Sequence, residues 1–200
     1  MRSEEEMKNA NRSLPPRRSA ALKVFCQCVL FGAAYIFCHG TQQALAENLP
    51  PPDYDDNNIK ADYLCKFIRY VDWPSYGDTI TIGVLGDNPV GAALTEYNGT
   101  TVKGRRVVIK ELDSLRDAQK CQIIFVSSSE KQRLQEIFEN LRYAHVLTVG
   151  EMKGFAQGGG MINFVEEKNK IHFEINVEAA SRTGLNISPE LLKLAKLVKS

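Results

Sequence analysis

Apolar residues recur at helical spacing just after residue 58 and then give way to short β-branched runs, a pattern that predicts one helix followed by sheet. Ala61, Leu64, Phe67, Ile68 and Val71 share one helical face from about Ile59 onward. Trp73-Pro74 ends that helix, because a proline disfavours helical geometry in the residue before it. "TITIGVLG" reads as a strand, and "DNPVGAALTEY" as a helix with Asp87 or Asn88 at its cap and Pro89 in its first turn. "RRVVIKEL" is a second strand and "CQIIFVSSSE" a third, with Ser127 to Ser129 capping the helix "EKQRLQEIFENLRYA". "HVLTVG" is a fourth strand.

Strand then helix, repeated, predicts an α/β fold: a mainly parallel sheet flanked by helices in three layers. "GGMINFVEEKNKIHFEINV" breaks the alternation, with two strand-like runs around the polar turn Glu167-Lys168-Asn169, an antiparallel hairpin. Two terminal helices follow. "EAASRTG" is short and closed by Gly184, and "SPELLKLAKLVKS" begins with Ser188 as cap and Pro189 at its first position. In this last helix Leu191, Leu192, Leu194, Ala195, Leu197 and Val198 leave mainly Lys193, Lys196 and Lys199 for solvent. That coverage is wider than one core-facing stripe requires. Burial against two elements is one reading, and a partner or homodimer surface built on Leu194, Leu197, Lys193 and Lys196 is the other.

The first 46 residues have a different character. Arg12, Arg17, Arg18 and Lys23 precede an uncharged run from Val24 to Gly40, and Ala44-Leu45-Ala46 is an A-x-A cleavage signal. Basic region, apolar run and small-residue exit describe a secretory signal peptide cut after Ala46; retention as an anchor stays open, although the run is short for a span of about 20 residues. The expected organisation is a signal peptide at 1–46, a flexible proline- and acid-rich leader at 47–58, and one domain at 59–200. Cleavage removes six of 25 Lys/Arg and three of 24 Asp/Glu, leaving 19 against 21, a formal charge of −2. With no charged tail, nothing here points to nucleic acid.

Export also changes the cysteine inventory. Cys26, Cys28 and Cys38 leave with the signal, and Cys65 and Cys121 remain in an oxidising compartment. A Cys65–Cys121 disulfide and two separately buried thiols are both open readings.

Catalytic chemistry finds little support. Gly158-Gly159-Gly160 leads into a strand, whereas a phosphate cradle needs a helix N-terminus behind it, so the triplet reads as a turn. "GVLGDNPVG" stands where a dinucleotide loop would, but its spacing is wrong and Asp87 places a carboxylate where phosphate needs donors. His172 and Glu174 share a strand face, which offers two metal ligands and lacks a third; His145 stands alone at a strand edge. Ser127 to Ser129 lack a G-x-S-x-G elbow. Lys103, Arg105, Arg106 and Lys110 suit either an acidic partner or a solvated strand edge protected from aggregation. No catalytic, metal or cofactor residues are assigned, and the expectation is a protein that is not an enzyme.

Taken in order, "KADYLCKFIRYVDWP", "ITIGVLGDNPVGAAL", "KGRRVVIKEL", "CQIIFVSSSE", "VLTVGEMKGFAQGGGMINFV" and "KIHFEINVEAASRTGLNISPELLKLAKLV" resemble the blocks of the YfiR-like family from about Lys60 to Val198. Trp73, Pro74, Gly158, Gly159, Gly160, Phe173 and Asn176 stand where that family's pattern expects them. The resemblance implies a periplasmic, non-catalytic α/β protein that represses a membrane-bound diguanylate cyclase by contacting its periplasmic sensor region. It further implies release by envelope stress or by an outer-membrane lipoprotein partner, and a role for disulfide state. Many relatives carry a cysteine in the first strand, where this chain has Gly83, so a bridge from that strand to Cys121 is not available. The alternative function is a periplasmic small-molecule-binding module that serves another sensor system. A hydrolase or redox enzyme is the weakest reading.

Overall fold

The structure, a computed structural model, describes residues 55–74 and 77–199, all within the unit Asp53–Ser200. The predicted signal peptide lies outside the described residues. Helix α1 spans Asp56–Tyr70, so it begins inside the stretch expected to be a mobile leader. The acid-rich run is the reason, since Asp56 places negative charge in the first turn, where the helix dipole favours it.

Strand β1 (Val71–Asp72) follows directly and is succeeded by β2 (Thr79–Leu85), helix α2 (Gly91–Thr95), β3 (Thr101–Val102) and β4 (Arg105–Leu112). Helix α3 (Leu115–Ala118), β5 (Ile123–Val126), a 3₁₀ turn at Ser128–Arg133 and α4 (Leu134–Leu141) come next. β6 (Leu147–Gly150), the hairpin β7 (Ile162–Glu167) and β8 (Lys170–Asn176), α5 (Val177–Arg182), β9 (Asn186–Ile187), α6 (Pro189–Leu192) and β10 (Lys196–Val198) complete the chain. The main sheet runs β10-β8-β7-β6-β5-β2-β4-β3, while β1 and β9 form a two-stranded antiparallel pair. Only the β3/β4 and β7/β8 pairs of the main sheet are antiparallel. The predicted hairpin turn is tight: Lys168 and Asn169 both adopt left-handed geometry, φ 54° and 58°, as a two-residue connection matched to strand twist requires.

Strand alternation divides the core into two layers. Ile82, Val84, Ile123 and Phe125 join α1 and α2 on one face, while Leu85, Ile124 and Val126 join α3 and α4 on the other. β5 and β6 are buried throughout, as parallel strands covered on both faces must be. The three-layer α/β expectation therefore holds. Phe67 of α1 anchors the first layer, stacking on Phe164 at 6.0 Å and meeting Phe173 edge-on at 5.7 Å. Loss of such a ring typically costs about 3–5 kcal/mol.

Three local expectations need correction. The predicted last helix is a single turn, Pro189–Leu192, capped by Ser188 Oγ accepting the Leu191 N–H; Lys196–Val198 is a strand. β8 offers unpaired backbone there, and β10 takes it in parallel register, Lys196 beside Glu174 and Leu197 beside Ile175. A tertiary edge outweighs the helical period. Helix α2 starts from Val90 without a side-chain cap; Asn88 instead lies before it, its Nδ2 donating to Glu111 Oε1 at 2.8 Å. Ser127 likewise makes no side-chain cap, and the chain enters α4 through the 3₁₀ turn.

Candidate functional site

In an open α/β sheet, ligands bind beyond the C-terminal ends of the strands where the strand order reverses. β2 pairs with β4 on one side and β5 on the other, so the reversal lies between Leu85 and Val126. The loops leaving these two strands meet there. The Asp87 N–H donates to Ser129 Oγ at 3.0 Å. A Cβ at Gly86 would stand 2.4 Å from that oxygen and 2.8 Å from Glu130 Cγ. Ser129 and Glu130 lie against Gly86 there, and one amide that a phosphate would use is already spent on a serine.

The glycine triplet has a packing role. Phe155 is fully buried. A Cβ at Gly160 would lie 2.2 Å from its ring and one at Gly150 2.7 Å, so the ring sits in a slot between two glycines. Gly159 adopts φ +118°, a geometry closed to ordinary side chains. Buried polar side chains hold the turn: Thr148 Oγ1 accepts the Met161 N–H and Asn163 Oδ1 the Met152 N–H, each at 3.0 Å. Asn176 Nδ2 donates to the Ala156 carbonyl at 2.7 Å while its Oδ1 accepts the Ala179 N–H and caps α5. The turn reading stands, and Asn176 is the pin that joins it to the next helix. On its outer side the turn borders a groove of about 250 Å³ between α4 and α5, with Phe138, Arg142, Met161 and Arg182 among its walls.

Glu174 connects the turn to the C-terminal edge. Only 8% of the residue is exposed. Its Oε1 accepts from Lys196 Nζ at 2.9 Å and its Oε2 from Gln157 Nε2 at 3.1 Å. Burial pulls this carboxyl upward, but the hydrogen bonds from Lys196 and Gln157, the Lys196 charge and a bond from Asn163 outweigh it and hold the group below the ordinary carboxylate range. Sequence reasoning treated Glu174 as a metal-ligand candidate and missed this role; the available signal was a lone acid set between the core residues Phe173 and Ile175. His172 is exposed on the same strand. No group of three or more His, Cys, Asp or Glu side chains suited to a metal occurs among the described residues. His145, at φ 50°, donates from Nδ1 to the Thr183 carbonyl at 2.5 Å and is used to hold the chain beyond α5.

Leu194, Leu197, Lys193 and Lys196 are gathered at one place, but on a strand edge and the turn before it, not on a helix face. Leu194 is 70% and Leu197 56% exposed. Phe173 lies in the aromatic core, and Trp73 is buried with its indole N–H donating to the Gln122 carbonyl at 3.1 Å. Pro74 packs near Gly184. Lys103, Arg105, Arg106 and Lys110 lie on β4 and its hairpin turn, at the opposite edge of the sheet.

Cys65 and Cys121 are both free and buried, and they belong to the core layers on opposite faces of the sheet. Burial, with help from the Asp62 charge, pushes the Cys65 thiol up to about 12. Burial likewise pushes Cys121 up to about 11. Neither is an activated nucleophile. A Cβ at Gly83 would lie 3.0 Å from Cys121 Sγ.

The profile of the YfiR/HmsC-like family matches residues 57–196. The chain belongs to this family. Solved structures similar to this YfiR/HmsC-like chain include a conserved domain protein from Vibrio cholerae O1 biovar El Tor, at TM-score 0.52 and 11% identity over 72% of this chain and 60% of that one. Another is the ABC domain from Streptococcus pneumoniae in complex with L-Trp, at TM-score 0.49 and 13% identity over 69% of this chain and 60% of that one. The chain thus spans about 60% of the length of each. At such identities the likeness concerns the fold alone. No helix among the described residues is long and apolar enough to cross a membrane.

Proposed function

We propose that this YfiR/HmsC-like protein is a periplasmic, non-catalytic regulator that represses a membrane-bound diguanylate cyclase through the cyclase's periplasmic sensor region. The observation that carries the reading is the family match across residues 57–196. One feature of the geometry is in keeping with it: exposed leucines stand at the C-terminal edge. Repression then means binding one state of the sensor more tightly than the other, about 1.4 kcal/mol for each tenfold shift in its population. An outer-membrane lipoprotein that competes for the same protein would relieve it. The test is deletion of the gene in its own host, with cyclic-di-GMP measured by mass spectrometry. The level should rise, and an unchanged level in a strain that makes a cyclase with a periplasmic region would refute the proposal.

The groove between α4 and α5 supports a second reading, a small-molecule receptor for another sensor system. That reading requires a ligand that raises the melting temperature without any protein partner.

A further inference from the structure

Building on the regulatory reading, we propose that the partner contributes an extended acidic segment, added as a ninth strand along the outer edge of β10. β10 ends the main sheet. It pairs with β8 on one side, and among the described residues no strand covers the other. Such an edge presents unpaired backbone groups that bind any chain able to extend beside them.

The side chains narrow the choice of occupant. Leu197 stands in register with the buried Ile175, so it continues the core face of the sheet into solvent, with the exposed Leu194 close before it. These leucines supply apolar anchors. Around them the segment 188–199 carries Lys193, Lys196 and Lys199 against a single acid, Glu190. Lys196 remains 76% exposed while bonded to Glu174. Pairing with a second copy would bring two sets of these lysines onto one seam, which like charges oppose. A segment that alternates apolar residues with carboxylates meets both the leucines and the lysines. The edge is also formed in advance, because β10 is already paired with β8 along Lys196–Val198 and the Lys196–Glu174 bond holds its start.

The experiment uses the exported protein, purified from the periplasm, as bait for detergent-solubilised inner membranes, with captured diguanylate cyclase quantified by mass spectrometry. Leu194→Asp/Leu197→Asp and Lys193→Glu/Lys199→Glu should each lower the affinity for that cyclase more than tenfold, with unchanged melting profiles. Lys103→Glu/Arg106→Glu, at the opposite edge, should not. In the complex the amides among 196–198 that face away from β8 should exchange at least tenfold more slowly. Full capture by both edge variants, or unslowed amides, would overturn the edge inference and leave the regulatory reading intact. A parent protein that captures no diguanylate cyclase would overturn both. A parent dimer that the leucine substitutions dissociate would assign the edge to a second copy and overturn the acidic partner.

Discussion

Gly83→Cys tests the placement of Cys121 and the layering of the core in one substitution. Gly83 sits in β2 between Lys110 and Ile124. Its missing side chain points toward the layer that holds Cys121, and its Cβ would lie 3.0 Å from that sulfur. A disulfide needs about this separation, given its bond length of roughly 2.05 Å and ordinary sulfur bond angles. Closing the loop from 83 to 121 removes unfolded-state entropy worth about 4 kcal/mol in the chain-entropy model. The obstacle is Leu112, whose Cδ1 would stand 2.5 Å from the new Cβ. Forcing it aside costs about 1–3 kcal/mol. That strain is present in both redox states, so the oxidised and reduced forms of the same variant should differ by nearly the whole loop term, about 12–16 °C in melting temperature. The assay is thermal unfolding with and without reductant, plus peptide mapping of the bond. Burial holds the Cys121 thiol near 11, so the bond should form during oxidative folding and only slowly in the folded protein. A bond mapped to Cys65, or no difference between the redox forms, would refute the geometry.

The other expectations concern the turn, the edge and the thiols. Gly160→Ala should cost about 1–3 kcal/mol in urea unfolding, because its Cβ would meet the Phe155 ring at 2.2 Å; an unchanged midpoint would refute the slot. The Glu174 carboxyl is held below its ordinary value of 4.5, so the stability it provides is present above that pH and is lost as pH falls through the folded value. Glu174→Gln should therefore cost about 2 kcal/mol at pH 7 and flatten the stability profile below pH 4.5, and identical acid slopes would count against the clamp. With thiols at about 12 and about 11, Cys65 and Cys121 should resist alkylation at pH 8 until the protein is unfolded; rapid labelling of the native state would contradict their burial.

Much of the fold was legible because its central strands are written in β-branched runs. "TITIGVLG", "RRVVIKEL" and "CQIIFVSSSE" contain β2, β4 and β5, and Lys168-Asn169 forms the hairpin turn as its polarity suggested. The last strand was not legible. Leu191 to Val198 has a helical period, and only the free edge of β8, with Glu174 awaiting a cation, makes Lys196–Val198 extend. β1 and β9 have two residues each, too few for any period to register. The last segment's surface was open in the sequence, where burial and a partner surface were both readings: Leu194 and Leu197 are exposed, and they stand on a strand edge that presents backbone as well as side chains. Glu174 escaped because its partners, Gln157 and Lys196, are 17 and 22 residues away. Only folding brings such groups together.

The arrangement of buried polar groups bears on what this domain is built to do. Thr148, Asn163, Asn176 and Glu174 are each engaged with the chain itself. Three of them hold the glycine turn, and the fourth passes from that turn through Gln157 to Lys196 on β10. The network therefore stiffens the path from the Phe155 slot to the outer edge of the sheet. Under the proposed regulatory reading, stiffness is what the contact surface requires. A rigid edge retains its preference for one sensor conformation, while an edge that remoulds itself to both would bind both and shift neither.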